Sequence, residues 1–152
     1  MFWYNPNIHP YTEYCSRRDS LRLFADQKKL LLFMEDEYGL RAFIKGVENG
    51  AWHQRCAYCY RLRLEKAAHY AAENAFDAFS TTLLISPYQK HELIKQTGEE
   101  LAACYGIKFL YRDFRPLFRE GQKQARAAGY YMQKYCGCIY SEEERYLGKA
   151  GT

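Results

Sequence analysis

Two closely spaced cysteine pairs lie among the six cysteines of this 152-residue chain. Cys56 and Cys59 form a C-x-x-C pair, and Cys136 and Cys138 form a C-x-C pair near the other end of the chain. Thiolates at such spacings bind zinc or iron–sulfur clusters, and the C-x-x-C spacing also occurs in dithiol oxidoreductases. The presence of both pairs favours one joint metal or cluster site over a thioredoxin-like dithiol or unconnected thiols.

The number of cysteines does not distinguish zinc from an iron–sulfur cluster, because four thiolates satisfy either. Structural zinc usually holds together small, loop-rich domains, whereas a chain of 152 residues with 48% hydrophobic residues buries a core of its own. The sequence therefore favours a functional cluster. Cys104 lies on an apolar helical stripe and is predicted to be a small, buried hydrophobic residue. Cys15 is not assigned to the site.

Basic side chains and tyrosines surround both cysteine pairs. Basic groups bind phosphates and tyrosine rings stack on bases, so this combination suits an RNA substrate, and the net charge of +4 is compatible with one. A solvated helix face with ordinary surface aromatics is the alternative interpretation. The residues concerned are Arg55, Tyr58, Tyr60, Arg61, Arg63, Lys134, Tyr135 and Tyr140.

Asp113 stands between Arg112 and Arg115 at the end of a predicted strand. It is a candidate proton donor or metal ligand, and a carboxylate held in an ion pair as part of the scaffold is the alternative. The four histidines show no spacing typical of metal ligands, so each is predicted to be structural or exposed. They are His9, His53, His69 and His91.

The elements that must position these residues alternate between strand and helix. An aromatic run at residues 2–4 predicts a strand that ends at a turn around Pro6. A helix is predicted over residues 10–26, a second, buried strand over residues 28–35, and a short helix over residues 40–47. The first part of the chain is therefore predicted to run strand, helix, strand, helix.

Two further helices are predicted, one before and one after a run of residues rich in β-branched side chains. Residues 55–76 predict a helix, and the run at residues 80–85 predicts a strand. Ser86 is predicted to cap the next helix, with Pro87 as its first residue and Gln89 completing a capping box. The apolar stripe of the first helix comprises Leu64, Ala67, Ala68, Ala71 and Ala75, and that of the second, which ends at Gly106, comprises Leu93, Ile94, Thr97, Leu101 and Cys104.

A strand over residues 107–114 and a helix over residues 115–129 complete the alternation. This order predicts one α/β domain over residues 1–152, with a mostly parallel sheet flanked by helices. Sites in such sheets lie outside the carboxyl ends of the strands, so residues 86–89 and 112–115 are predicted to share one rim.

Several segments are more specific than these general patterns. In chain order they are YNPNIHPYTEY, RCAYCYRLRLEKAA, STTLLISPYQKHELI, FLYRDFR with FREGQ, and YMQKYCGCIYS. Together they resemble the cobalamin-independent epoxyqueuosine reductases, the QueH family, over nearly the whole chain.

The resemblance implies an enzyme for the last step of queuosine formation. Its substrate would be tRNA carrying epoxyqueuosine at the anticodon wobble position, and its electron donor is not identified by the sequence. The resemblance also implies a [4Fe-4S] cluster with an adjacent iron or other divalent metal. The implied fold is Rossmann-like, related to the adenine nucleotide alpha hydrolase superfamily. Removal of an epoxide oxygen takes electrons and protons, for which a cluster is a natural source.

The resemblance carries roles to individual residues by position. Cys56, Cys59, Cys136 and Cys138 match the central and C-terminal cysteine pairs of the family and are predicted to be the cluster ligands. A disulfide bond among the cysteines is also expected. Asp113 or a tyrosine of the site is predicted to supply a proton. The predicted substrate-binding residues are Tyr60, Tyr88, Gln89, Arg112, Arg115, Gln133 and Lys134.

One feature of the family has no match in this sequence. Family members carry a first strand that ends in a paired-cysteine motif before the YNPNI-like segment. The sequence therefore predicts a chain shortened at its N-terminus by a strand and a helix. The first, normally central, strand of the sheet would then be missing, which exposes strand edges.

The remaining expectations concern location and alternative functions. No apolar run is long enough to cross a membrane, and no signal-peptide pattern occurs, so we expect a cytoplasmic protein without a membrane partner. A zinc-stabilised RNA-binding module and an inactive remnant of the reductase are the alternatives. An ATP-dependent thiolase of the related superfamily is disfavoured by the SPYQKHELI and YCGC motifs.

Overall fold

The structure is a computed structural model that describes residues 1–50 and 54–148. These residues form α-helices, short 3₁₀ helices and four β-strands of two residues each, which confirms the predicted α/β class. Within the described ranges, no helix is both long and apolar enough to cross a bilayer. His53, one of the histidines considered above, lies outside the described residues.

The elements follow one another in the predicted alternation. The strands are β1 (Phe2–Trp3), β2 (Phe33–Met34), β3 (Ala78–Phe79) and β4 (Lys108–Phe109). The α-helices are α1 (Tyr11–Gln27), α2 (Leu40–Glu48), α3 (Arg55–Glu73), α4 (His91–Tyr105), α5 (Phe118–Ala127) and α6 (Ile139–Tyr146). The 3₁₀ helices are Thr82–Ile85 and Arg115–Leu117.

Contacts divide the chain into two compact units, which are described separately. The first comprises Met1–Lys45 and the described part of Gln122–Thr152, and the second comprises Gly46–Gly121. Each contains one parallel strand pair, β1 with β2 in the first unit and β3 with β4 in the second. The parallel pairing agrees with the predicted sheet type, and the single domain stays a prediction.

The core of the first unit forms around the helix that connects its two strands. Parallel strands need a crossover, and α1 provides it between β1 and β2. Trp3, Ile8 and Tyr14 are buried there, with the Trp3 and Tyr14 ring centroids 6.0 Å apart. The Tyr14 hydroxyl donates to the Asp36 carboxylate at 2.8 Å, so its polar end is also satisfied.

The predicted buried strand over residues 28–35 is wrong in extent, because only β2 forms within it. The first part of the run continues the turn that ends α1: Leu30 N donates to Ala25 O at 2.8 Å. Lys29 takes φ +53°, and Leu31 is 72% exposed. Backbone bonds that terminate the helix therefore occupy residues that the apolar pattern assigned to a strand.

The core of the second unit lies where α3 and α4 pack together with β3 and β4. Gly98 of α4 allows the helix to approach β4 closely, because a Cβ at this position would lie 2.4 Å from the Phe109 ring. The buried residues of this core are Tyr60, Leu64, Ala68, Ala71, Phe79, Leu84, Ile94, Leu101 and Ile107.

The predicted strand over residues 80–85 is instead a 3₁₀ helix. The Thr81 hydroxyl accepts a hydrogen bond from Leu83 N at 3.2 Å and thereby starts the turn. Leu84 is fully buried, and its carbonyl accepts from Phe114 N at 3.3 Å. Local side-chain bonding and the burial of one leucine override the β propensity of the run.

The predicted capping box at Ser86 is also wrong, because α4 begins only at His91. Ser86 Oγ accepts from Tyr88 N at 3.3 Å, which closes a turn rather than a helix start. Gln89 returns to Ser86 only through its backbone N, which donates to Ser86 O at 3.4 Å, and not through its side chain. Its Oε1 accepts from the Tyr60 hydroxyl at 2.8 Å, so a long-range bond replaces the local one.

Two further expectations about helix faces are corrected. Cys104 is exposed rather than buried, because the buried face of α4 continues from Leu101 to Tyr105, four residues on. Ala75 lies beyond the end of α3, exposed and with φ +55°, so it does not extend the apolar stripe. α6, which follows Cys138, had no counterpart in the prediction.

Candidate functional site

The carboxyl ends of β3 and β4 form one rim within the second unit, as the parallel topology predicts. Leu110 N donates to Phe79 O at 2.9 Å, and Ser80 Oγ donates to Leu110 O at 2.8 Å. Farther along the same loops, the Tyr88 and Phe118 rings meet edge to face, with centroids 5.8 Å apart. The segments that follow both strands therefore lie side by side.

Tyr60 and Gln89, both predicted to bind substrate, bind each other. The Tyr60 hydroxyl donates to Gln89 Oε1 at 2.8 Å and accepts from Lys90 N at 3.1 Å. The Tyr60 side chain is only 3% exposed, within the core of the unit. This pair holds the loop before α4, and the aromatic side chain that the loop presents to solvent is Tyr88, at 83% exposure.

Asp113 forms a bidentate ion pair with Arg115. Arg115 Nε donates to Oδ1 at 2.8 Å and Nη2 to Oδ2 at 2.6 Å, and the Arg115 backbone N donates to Oδ1 at 3.0 Å. These bonds lower the pKa of Asp113 to about 2. The carboxylate is therefore ionised at neutral pH and holds no proton of its own, which matches the ion-pair alternative. Arg112 lies over the Phe114 ring, 5.6 Å from its centroid.

His91 belongs to the same rim, although its spacing gave no sign of this. Its side chain is 6% exposed, with Nε2 3.0 Å from Ser86 O. Its Nδ1 is buried and has no hydrogen-bond partner among the described residues. The positive form of His91 also contributes to the low pKa of Asp113. The one signal in the sequence was its place at the end of the SPYQKH segment.

Cys56 and Cys59 lie in the first turns of α3. Their spacing of three residues puts both side chains on one face of the helix. Neither forms a disulfide, and both are partly buried against the core that contains Tyr60. The helix therefore presents two sulfur atoms together, as a metal or cluster ligand pair requires.

Three members of the predicted RNA-binding group line one cavity of about 390 Å³ in the second unit. They are Arg55, Tyr58 and Arg61, and Glu100 of α4 lies opposite. Arg61 Nη1 is 3.6 Å from Glu100 Oε2, so the cavity carries both signs of charge. The basic group is therefore partly neutralised.

Cys136 and Cys138 lie in the first unit, on the loop that leads into α6. Cys138 is 6% exposed and Cys136 is partly buried. Gly137 between them takes φ +115°, a conformation that favours glycine. A Cβ on Gly137 would lie 3.0 Å from Ile8 Cγ1 and 3.1 Å from Arg17 Nη1, so the space also favours glycine.

Three successive carbonyls of this loop accept hydrogen bonds from the N-terminal part of the chain. Arg17 donates to Tyr135 O at 2.8 Å and to Cys136 O at 3.0 Å, and His9 N donates to Gly137 O at 2.7 Å. The His9 ring is fully buried, which lowers its pKa to about 4. Sequence reasoning missed Arg17. It predicted that His9 is structural or exposed, and the buried ring agrees with the first of these.

The predicted substrate-binding residues divide between the two units. Gln133 and Lys134 lie exposed on the loop before Cys136, in the first unit. Those of the second unit are Tyr60, Tyr88, Gln89, Arg112 and Arg115.

The cysteine sulfurs are donor atoms of the kind that metal centres in proteins use. The disulfide expected among them does not form, because none of the six is bonded to another cysteine. Over residues 1–50 and 54–148, no group of three or more His, Cys, Asp or Glu side chains is arranged for a metal ion. Each cysteine pair contains two sulfurs outside any disulfide, and cysteine sulfurs are the atoms through which proteins bind iron–sulfur clusters. The chemistry of the donors therefore fits such a cluster.

Comparison with known proteins gives one consistent result. The family model described as epoxyqueuosine reductase QueH matches residues 1–144. A Dehalococcoides mccartyi protein of that name is 37% identical over 96% of this chain and 80% of its own length. Its namesake from Thermotoga maritima is 35% identical over 95% of this chain and 79% of its own length. The one from Acinetobacter baylyi is 36% identical over 93% and 67%, respectively.

Proposed function

Because this chain belongs to the epoxyqueuosine reductase QueH family, we propose that it reduces the epoxide of epoxyqueuosine in tRNA to give queuosine. The observation that carries the proposal is the family match over residues 1–144. The proposed substrate carries epoxyqueuosine at the anticodon wobble position. The proposed location is the cytoplasm, with electrons from a separate donor. The parallel strand pairs support a Rossmann-like fold of the adenine nucleotide alpha hydrolase type.

The proposed reaction breaks both carbon–oxygen bonds of the epoxide and forms a carbon–carbon double bond. The oxygen leaves as water, so the reaction consumes two electrons and two protons. A [4Fe-4S] cluster with an adjacent iron or other divalent metal, when bound, supplies electrons and Lewis acidity. We assign its ligands to the four paired cysteines, and their paired spacing and the absence of disulfides support the assignment. They are Cys56, Cys59, Cys136 and Cys138.

The rim of the second unit is the proposed surface for the modified base. Tyr88 is exposed there and offers a ring on which a base can stack. Arg112 and Arg115 provide positive charge for phosphate or base oxygens. Gln89, held by Tyr60, fixes the loop that carries Tyr88. We also propose Gln133 and Lys134 as tRNA contacts, because both are exposed polar side chains.

Asp113 remains the proposed catalytic residue, and its ion pair with Arg115 restricts it to roles that a carboxylate anion can fill. Since its pKa is about 2, it is ionised before substrate binds. It therefore orders Arg115, and its negative charge can accept a hydrogen bond from the group that supplies the proton. The proton itself is better supplied by a rim tyrosine such as Tyr88, whose exposed hydroxyl can donate a hydrogen bond to the substrate.

Metal analysis and turnover together test this function. We expect protein purified without oxygen to contain iron and sulfide, and to convert epoxyqueuosine in tRNA to queuosine with dithionite as electron source. Mass spectrometry of the digested tRNA measures the conversion. Stoichiometric zinc without iron would contradict the reductase and favour the zinc-stabilised RNA-binding module. Iron-loaded, folded protein without turnover would favour an inactive remnant.

A further inference from the structure

We propose that Glu13 and Arg17 are positioning residues for the thiols of Cys136 and Cys138. The proposal rests on the proposed function, in which these thiols bind a cluster. It adds two residues of α1 that no pattern in the sequence connected with the cysteines.

The Arg17 guanidinium joins α1 to residues 135–138, here called the cysteine loop. Its Nη2 and Nη1 donate to Tyr135 O at 2.8 Å and to Cys136 O at 3.0 Å. Its Nε donates to Glu13 Oε1 at 2.7 Å. A planar fork with donors in fixed directions binds both carbonyls and a carboxylate at once, whereas an ammonium group is a single point charge.

Both charged side chains of this pair are nearly buried, at 9% exposure for Arg17 and 8% for Glu13. Buried charges are tolerated when they are paired and fully hydrogen-bonded. The second oxygen of Glu13 accepts from the Tyr131 hydroxyl, and the Arg17 guanidinium lies 5.5 Å from the centroid of the Tyr135 ring. The pair therefore has partners on every side, and these partners hold one geometry.

The cysteine loop contains no helix or strand, so these bonds determine its conformation. A second connection reinforces them: the Tyr135 hydroxyl donates to His9 O, and His9 N donates to Gly137 O. The partners are far apart in sequence, 119 positions for Arg17 and Cys136. A loop with glycine between two cysteines would otherwise give the thiols many relative orientations. Fixing one orientation in advance lowers the entropy cost of binding both sulfurs to one ligand.

The substitution Arg17→Lys tests whether Arg17 acts by holding the cysteine loop in place or only through its positive charge. Lysine keeps a positive charge beside Glu13 but does not bridge both carbonyls of the cysteine loop. We expect iodoacetamide to alkylate Cys138 about tenfold faster or more, the factor expected when the closed state loses a charge-assisted hydrogen bond. Mass spectrometry of the digested protein measures each cysteine separately, and Cys59 in the second unit serves as the internal control.

Arg22→Lys is the matched control, because Arg22 is on the same helix but forms exposed ion pairs with Asp19 and Asp36. It is expected to leave alkylation of Cys138 unchanged. Equal alkylation rates in Arg17→Lys and Arg22→Lys would overturn the proposal. If Arg17→Lys does not fold, Glu13→Gln is the second variant. It removes the negative charge that orients Arg17, and the same acceleration is expected.

Turnover by the iron-loaded enzyme gives an independent readout. Arg17 is nearly buried and does not reach a tRNA surface, so Arg17→Lys is expected to lower kcat and leave KM for the tRNA unchanged. A raised KM with unchanged kcat would contradict a positioning role. If the protein binds zinc rather than iron, the proposed function fails, while the alkylation rates still decide the role of Arg17.

Discussion

Arg115 sets the charge of Asp113, which lies in the loop that follows β4. The ion pair and one backbone N–H stabilise the carboxylate and lower its pKa from 3.8 to about 2. A depressed carboxyl pKa stabilises the fold above pH 3.8, and this contribution is lost as the pH falls through about 2. At neutral pH the residue therefore acts as an anion in both its structural and its proposed catalytic role.

Asp113→Asn tests that role at the level of one residue. An amide does not hold Arg115 in a bidentate pair, so we expect kcat/KM to fall about tenfold or more with unchanged iron content. Steady-state turnover and metal analysis measure the two quantities. Asp77→Asn is the matched control, since Asp77 is an exposed aspartate of the same unit. Full turnover by Asp113→Asn would remove Asp113 from the proposed site.

His9 makes a prediction about pH and stability. Burial lowers its pKa from 6.5 to about 4, so the unfolded chain binds a proton more readily than the folded chain between these values. The free energy of unfolding is therefore expected to fall by about 2 kcal/mol from this residue alone between pH 7 and pH 5. Urea denaturation at both pH values measures it, with His9→Gln expected to lose this dependence. His69→Gln, at an exposed histidine, is expected to keep it.

At the scale of elements, close packing between helix and strand depends on Gly98. Glycine inside a helix usually lowers stability, yet α4 carries it where the Phe109 ring of β4 approaches. A Cβ there would overlap the ring at 2.4 Å, so the glycine permits a contact that alanine does not. The strand pair β3 and β4, and hence the rim after it, depends on this contact.

Gly98→Ala is expected to destabilise the fold by about 1–3 kcal/mol, the usual cost of overpacking a core. Gly121→Ala is the control, because its Cβ would meet Ile85 Cδ1 at an ordinary 3.5 Å. That change is expected to be neutral or to stabilise α5 by up to about 1 kcal/mol. Denaturant titration of both variants measures the difference. A neutral Gly98→Ala would show that Phe109 moves aside without cost.

At the scale of the whole molecule, the two cysteine pairs belong to different units, each with its own supports. α3 presents Cys56 and Cys59 through regular helix geometry. The other pair depends on glycine and on bonds from α1. A four-thiolate cluster needs both pairs, so each pair is tested separately.

Cys56→Ser with Cys59→Ser is expected to abolish iron binding, and so is Cys136→Ser with Cys138→Ser. Two thiolates are too few to hold the proposed cluster. Iron and sulfide analysis after anaerobic reconstitution measures the loss. The control changes the two cysteines outside the site, Cys15 and Cys104, to serine and is expected to retain full iron. Full iron after loss of the C-x-C pair would exclude it from the ligands and leave it free for dithiol–disulfide exchange.

Local patterns predicted the helices well. Apolar periodicity and helix-terminating residues predicted the extents of α1 and α2 and the glycine in left-handed conformation that ends α4. These signals act through bonds a few positions apart, so they can be read from the sequence. The same patterns failed at residues 80–85 and at Cys104, where burial against a neighbouring element decides the outcome. Strand extent was overestimated for the same reason, because strands form only where a partner is in register.

The sequence by itself determined the order of the first five helices, the parallel connection of the strands and the four cysteines with their family resemblance, because spacing and residue type are local properties. Only the tertiary structure decided that Arg115 keeps Asp113 ionised and that the Tyr60 hydroxyl is hydrogen-bonded to Gln89. The same is true of the bonds through which Arg17 holds the cysteine loop. These outcomes depend on hydrogen bonds and burial between residues distant in sequence, 118 positions for Arg17 and Tyr135. No spacing in the chain encodes such a partner, because the partners meet only when the units fold.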